Sequence, residues 1–426
     1  MHELLSLRTG LITLATALVA FLANRSMGIY FNALRPFFPD YLEGKMTRKD
    51  LSTIVFGLSV GSVLGSGIPL AMATGVMNGP LLFIAAGAIG CLFEPAWAAI
   101  LAGAAWEVGV NLGLKAVLTA ADALPFNFLP SLTQLGSPLL TVFSLFPAVA
   151  VTRQYGRRPG LTAFGLSFLA RQTVVVYLPR FSPEAAVLLT SIVCLAFFAG
   201  KDKTASPDAA AGDMAVPDSS LLLRRGQRLR QNLPYLVLTG AVIATLSYLR
   251  IFGKSAVAVF ALREGRITDA ALADLVDDIG FFPIRLTTIM VTGVYSVVGL
   301  FGPSLAYFAP NIFVAALIGG AAVVVEAMGA FQLSKLISRF PAIGRVSKTM
   351  TVAMTDTLTL GLLFGSILTG DKMAGSAGLF SVLSLYLYNE AAGRPVNPMA
   401  AGPLAALLTG LLLNILVVLG LFTIPA

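Results

Sequence analysis

Ala98–Gly113 reads AAILAGAAWEVGVNLG, and Leu317–Phe331 reads LIGGAAVVVEAMGAF. Each stretch is apolar and rich in small residues, and each carries one carboxylate, Glu107 or Glu326. A charge inside a lipid-spanning helix is costly, so it marks a functional position by default. Gly103-Ala104-Ala105 precedes Glu107, and Gly320-Ala321-Ala322 precedes Glu326. Small residues of this kind let neighbouring helices approach closely. The two carboxylates lie 219 positions apart, which reads as one motif used twice.

The surrounding sequence has the same character. Of 426 residues, 57% are hydrophobic and 12% charged, against about a quarter charged in soluble proteins. Apolar segments fall near 9–24, 51–75, 80–93, 96–115, 136–152, 160–178 and 183–199. Seven more fall near 233–250, 276–299, 303–309, 313–333, 350–369, 374–390 and 400–424. A spanning helix needs about 20 apolar residues, so the pieces at 80–93 and 303–309 read as broken or re-entrant. Strands of alternating polarity are absent, which excludes a membrane barrel. The expected fold is an all-α polytopic membrane protein of two inverted-topology repeats, with about 10–14 membrane segments.

The longest polar stretch, 201–231, divides the chain near its midpoint and reads as a flexible linker. It separates an N-terminal membrane repeat, 1–200, from a C-terminal one, 232–426. Glu43-Gly44-Lys45-Met46-Thr47 is echoed by Glu264-Gly265-Arg266-Ile267-Thr268, and Gly79-Pro80 by Gly302-Pro303. An odd number of spans per half turns the second half upside down relative to the first. With loops assigned to alternate sides, the linker side holds 19 Lys and Arg and the opposite side eight. That asymmetry puts the linker in the cytoplasm and both termini in the periplasm of a bacterial inner membrane.

Several function classes are excluded. The net charge of +8 fits basic loops beside anionic lipid, and no basic patch interleaves with aromatics for nucleic acid. One histidine, His2, and two cysteines, Cys91 and Cys194 within apolar runs, cannot assemble a metal or histidine-based catalytic centre. No phosphate-binding loop is present, and no cofactor is expected. The first 25 residues imitate a signal peptide, but further apolar spans follow, so an uncleaved first helix is expected.

The candidate site residues form three groups. Asp356, in TVAMTDTLTLG with Thr355 and Thr357, and its repeat counterpart around Gln134 and Ser137 offer oxygen ligands in apolar helices. Arg285 follows Pro283, which removes a backbone donor and opens the helix; with Thr288 it suits an anionic group. Ser59 and Ser62 lie in a Gly/Ser-rich run, 56–69, that would pack closely or break to expose backbone. These nine are the expected solute-binding residues. Glu107, Glu326, Asp277 and Asp278 are the expected ion-coupling carboxylates, although the last two sit at the start of a predicted span, where acids also complement the helix dipole. Arg171 and Asn389-Glu390 are repeat equivalents expected to pair as a gate or a structural contact. For each group the alternative is interhelical hydrogen bonding or snorkelling with no transport role.

Asn24-Arg25-Ser26, Leu34-Arg35-Pro36, Glu43-Gly44-Lys45-Met46 and Phe56-Gly57-Leu58-Ser59-Val60-Gly61 give the sequence a family resemblance. Asn232-Leu233-Pro234-Tyr235, Lys372-Met373-Ala374-Gly375, Asn389-Glu390, Gly393-Arg394-Pro395-Val396 and Met399-Ala400 extend it across nearly the whole chain. In these positions it resembles the YhfT family of bacterial transport proteins. The resemblance implies transport as a family label and supplies neither substrate nor cycle.

The expectation is therefore a secondary transporter, not an enzyme. It would carry a small polar or anionic metabolite, coupled to H+ or Na+, by elevator-like movement in a homodimer. The alternatives are a membrane-embedded enzyme acting on a lipid or isoprenoid, with Glu107, Glu326, Asp356 and Asp277 as acid–base groups, a phosphotransferase-type permease subunit, and a non-transporting scaffold.

Overall fold

The computed structural model describes residues 2–30, 34–35, 37–63, 67–178, 183–201, 219–337, 341–396 and 398–423. Almost all of them are helical. The first half runs α1 (His2–Asn24), α2 (Phe37–Leu42), α3 (Arg48–Ser62), α4 (Ile68–Thr74) and strand β1 (Met77–Asn78). A π-helical turn, Pro80–Ile84, leads into α5 (Ala85–Leu92) and then α6 (Ala96–Asp122). A 3-10 turn, Leu129–Leu135, precedes α7 (Gly136–Phe143), α8 (Phe146–Tyr155), α9 (Arg157–Tyr177) and α10 (Pro183–Lys201).

The second half begins with α11 (Ser219–Gln231), α12 (Leu233–Tyr248), strand β2 (Phe252–Gly253) and α13 (Ala256–Arg263). It continues with α14 (Ile267–Thr292), α15 (Gly302–Ala306), α16 (Ile312–Ile337), α17 (Pro341–Ala391) and α18 (Pro398–Val418).

These elements pack into two bundles, and each draws on both halves. The first contains α1, α5 and α6 with α12, α15 and α16, and its core is one continuous apolar cluster. The second contains α7 to α10 with α17 and α18. The bundles meet where α16 lies against α17, and around that contact α3 lies against α18 and α14 against α10 and α17. The strands cross between halves in the same reciprocal way. Met77-Asn78 pairs in parallel with Phe252-Gly253, and Gly28 bridges in parallel to Tyr295.

Backbone irregularities recur in the same order. Ser26 and Arg250, neither of them glycine, are left-handed at φ 54° and 58°. Gly44 and Gly265 take 73° and 75°, and Gly75 and Gly293 take 72° and 67°. At Gly44 and Gly265 the turn has a local cause. The glycine lets the chain double back so that Glu43 meets Lys45 at 2.7 Å and Glu264 meets Arg266 at 2.5 Å.

Three helical stretches among the described residues are long and apolar enough to cross a bilayer: Leu7–Asn24, Ile312–Gln332 and Ala401–Val418. Shorter apolar helices at Pro80–Leu92, Ala96–Val110, Ala186–Gly200 and Leu233–Tyr248 stand beside them. Large apolar side chains on the outside include Phe313, Leu317, Val325, Phe380 and Tyr177. A contiguous apolar exterior suits lipid, not water.

Three sequence expectations are corrected. The span expected at 276–299 is a helix only to Thr292, because Gly293 closes it with a left-handed C-cap. The run at 51–75 is not one α-helix: α3 ends at Ser62 and α4 starts at Ile68, with Val63 and Gly67 π-helical and residues 64–66 outside the described residues. The last part of the linker is the ordered amphipathic α11, which buries Leu229 and docks on α14 and α16; residues 202–218 lie outside the described residues. The expected division between 350–369 and 374–390 appears as a sharp bend at Ala374-Gly375 inside α17.

Candidate functional site

Glu326 sits on α16, within the apolar Ile312–Gln332 stretch, and is 5% exposed. Arg285, on α14, meets it through Nε at 2.5 Å. The same guanidinium donates to the Ser296 carbonyl at 3.0 Å and to that of Val298. Glu326 also accepts from the Tyr295 hydroxyl at 2.5 Å and the Leu300 amide at 3.1 Å. The extended segment after Gly293 thus supplies backbone groups that a continuous helix would have kept for itself. Buried ionised groups need this degree of satisfaction.

About two and three turns before Arg285, α14 carries Asp278 and Asp274, both fully buried. Asp278 ion-pairs with Lys254 and accepts from the Ser304 hydroxyl and, at 3.0 Å, from the Phe301 amide. That contact holds Phe301 in a left-handed conformation at φ 60°, from which α15 starts. Asp274 accepts from the amides of Lys254 and Ser255 at 3.2 and 2.8 Å and from the Tyr307 hydroxyl at 3.3 Å. Asp277 lies between them and interacts electrostatically with Lys254 and Asp274. Arg35, fully buried, interacts with Arg285, Glu326 and Tyr295.

Among the described residues, four carboxylates (Asp274, Asp277, Asp278 and Glu326) therefore gather with three cations (Lys254, Arg285 and Arg35). The cluster lies where β2 and the Tyr295 segment meet strands of the other half.

The structure regroups the sequence candidates. Arg285 and Glu326, assigned to different roles, are one ion pair. Its charge is already matched, so Arg285 is not an open anion site. Asp277 and Asp278, expected at a helix start, lie in the middle of α14. Glu107 is fully buried on α6, beside Trp106, whose indole donates to the Leu81 carbonyl at 3.0 Å. Ser59 donates to the Val55 carbonyl of its own helix at 2.6 Å, and Ser62 and Thr288 are buried. The Gly67 carbonyl accepts from the Asn78 side chain at 2.8 Å, so that group is not left for a ligand.

Asp356 stands apart from the network. It is half exposed and ion-pairs with Arg153 at the end of α8. It borders a cavity of about 340 Å3 together with Thr359, Tyr386, Glu390 and Arg394. Thr357 is turned away, donating to the Ala353 carbonyl at 2.8 Å, and Gln134 is half-buried. The side chains of Ser137 and Thr355 lie outside the described residues. The expected Arg171 pair does not form: Glu390 pairs with Arg394, one helical turn on, and Asn389 brackets Val396 through two bonds of 2.9 Å.

Sequence reasoning missed Lys254, Asp274, Tyr295 and Arg35. Lys254 and Arg35 fall between apolar segments and look like loop residues. The spacing of Asp274 and Asp278 was the available signal, since residues four apart share one helix face.

No solved structure matches the chain. It is 35% identical to a protein described as "Uncharacterized protein YhfT" from Escherichia coli (strain K12), over 96% of this chain and 97% of that protein. The match to the YhfT family, described as a protein of unknown function, runs from residue 8 to 422. Covering nearly every element described above, it establishes that the chain belongs to the YhfT family.

Proposed function

We propose that this chain is a polytopic secondary carrier of a small polar solute, not an enzyme, and that its buried charge network couples solute movement to a proton or a sodium ion. The observation that carries the reading is the charge balance of the network. Asp274, Asp278 and Glu326, all buried, match Lys254, Arg285 and Arg35 in number, and the partly buried Asp277, which interacts with Lys254, Asp274 and Glu184, adds a carboxylate beyond that balance. An uncompensated buried charge is costly. One proton or one monovalent cation removes the imbalance, and its arrival or departure changes the stability of the arrangement.

The reciprocal strand exchange, the paired left-handed residues and the matching α3–α18 and α10–α14 contacts support two repeats. In the inverted arrangement, the two Glu-Gly-basic turns lie on opposite faces of the inner membrane. Arg225 of α11 pairs with Glu43 at 2.5 Å, and Arg228 donates to the Arg25 carbonyl at 2.8 Å. The linker and the 25–50 loop thus belong to one side, as the charge asymmetry requires of a cytoplasmic face. The two bundles are the parts that would move in an elevator-like cycle within a homodimer.

A thermal-shift screen of metabolites on the purified protein tests the reading, run between pH 5 and 8 and with sodium replaced by choline. A coupled carrier gives a hit whose affinity depends on pH or on sodium, and Asp278→Asn removes that dependence. Hits indifferent to both ions, or an Asp278→Asn protein with unchanged ion dependence, would sink the proposal.

A further inference from the structure

The cavity beside Asp356 differs from the network in the one respect that matters for a ligand: its ion pairs are open to exchange. Arg153 and Asp356 are 47% and 45% exposed, and Arg394 and Glu390 are 62% and 27% exposed. Arg285 and Glu326, by contrast, are 5% and 3% exposed. A half-solvated pair gives up little when a partner is replaced, whereas breaking a buried pair strands a charge. Asp356, Glu390 and Arg394 line the cavity, and Arg153, outside the lining, pairs with Asp356, so the two ion pairs taken together sum to zero. A lone anion or a lone cation entering it would leave the site with a net charge. A molecule carrying both would not.

The geometry points to a small zwitterion, bearing one ammonium and one carboxylate, as the ligand of this cavity. We infer that its ammonium takes the place of a guanidinium on Asp356 or Glu390, while its carboxylate occupies the released arginine. The Arg394 guanidinium suits this exchange because its planar fork accepts a carboxylate on two nitrogens. The Tyr386 hydroxyl, which hydrogen-bonds Glu390, and Thr359 supply the remaining polar contacts at the wall. Leu360 and Leu363 line the rest and favour a short aliphatic body over a sugar or a nucleotide. A volume of about 340 Å3 is at the small end of ligand pockets. Naming this ligand as the cargo rests on the carrier reading above; its binding to the cavity does not.

The test is a binding measurement on the intact purified protein. The probes are glycine, L-serine, L-glutamine and γ-aminobutyrate, each zwitterionic, with ethanolamine and 3-hydroxypropionate as single-charge controls. At least one zwitterion should raise the melting midpoint by about 3 °C at saturation, and neither control should. Asp356→Asn and Arg394→Gln should each weaken that ligand about tenfold or more, and Arg394→Lys less, since it keeps the charge and loses the fork.

Should those variants fail to fold, Leu363→Cys provides a second readout, because a bound zwitterion must slow its labelling by a maleimide. The native Cys91 and Cys194 are buried. Stabilisation by none of the four zwitterions, or equal stabilisation by a single-charge control, overturns the inference. Zwitterion binding without any uptake into liposomes would leave the inference standing and remove the carrier reading instead.

Discussion

Glu107 and Glu326 hold matching places on α6 and α16, yet the residue types at the corresponding positions around them differ. Glu326 is gripped by a guanidinium, a phenol and a backbone amide. The same spacing of 219 places Ser66 where the second half has Arg285, and Ser59 where it has Asp278. The first half thus offers hydroxyls and small residues where the second offers charge. Close packing, however, is alike in both. A Cβ on Gly90 would come within 2.2 Å of the Ala20 carbonyl, and one on Gly319 within 2.3 Å of that of Gly240. The two halves share a packing scheme and differ in electrical equipment, so their division of labour lies in the charges.

Glu326→Leu should produce the largest effect. It leaves Arg285 buried without its carboxylate, at a cost of about 3–5 kcal/mol. Ser59→Ala, at the place that corresponds to Asp278, should cost less than half as much, as read from melting of the two variants in the same detergent. Equal losses would break the comparison.

Lys254→Met comes next, at about 3 kcal/mol, because it strands Asp278. Adding Asp278→Asn should recover part of that loss, and a double-mutant cycle should give a coupling of about 1–3 kcal/mol. An additive pair would mean that the two groups do not form the contact described.

Gly90→Ala and Gly319→Ala should each cost about 1–3 kcal/mol by overpacking, and similarly in the two halves. A large difference between them would show that the packing is not shared.

The smallest effect belongs to Glu43. Its hydrogen bond to Lys45, reinforced by Arg225, holds its carboxyl below the usual carboxylate range. A depressed value in the folded state stabilises the protein above the unfolded value and stops doing so as pH falls through the folded one. The contact of α11 with the 25–50 loop should therefore loosen only as pH falls below the ordinary carboxylate range. Glu43→Gln should cost under about 1 kcal/mol, measurable as faster proteolysis at α11 with little change in melting.

The helical character of the fold was legible because apolar periodicity and turn glycines are local properties. Gly44 and Gly265 announce their turns from sequence alone. The buried network was only half legible. Glu326 and Arg285 were visible as charges in apolar runs, but nothing local says that they meet. Tyr295 was hidden because the apolar run continues past Gly293 as an extended segment, and length alone does not distinguish that from helix. Lys254 was hidden for a different reason: it looks solvated until the β1–β2 pairing draws its loop inward. Asp356 and Glu390 were read as parts of separate groups, and only the bend at Ala374-Gly375 folds α17 back to put them on one cavity.

The reciprocal strand pairing also constrains the order in which the protein matures. When the ribosome has released α1 and the loop after it, the backbone partner of Ile29 is Tyr295, still more than two hundred codons away. Phe252 and Met77 impose a similar wait on β1. Until synthesis passes residue 300, the early helices can enter the bilayer but their connecting peptide groups have no mate there. The first half is then an unfinished intermediate in need of shelter, and its completion is an act of the second.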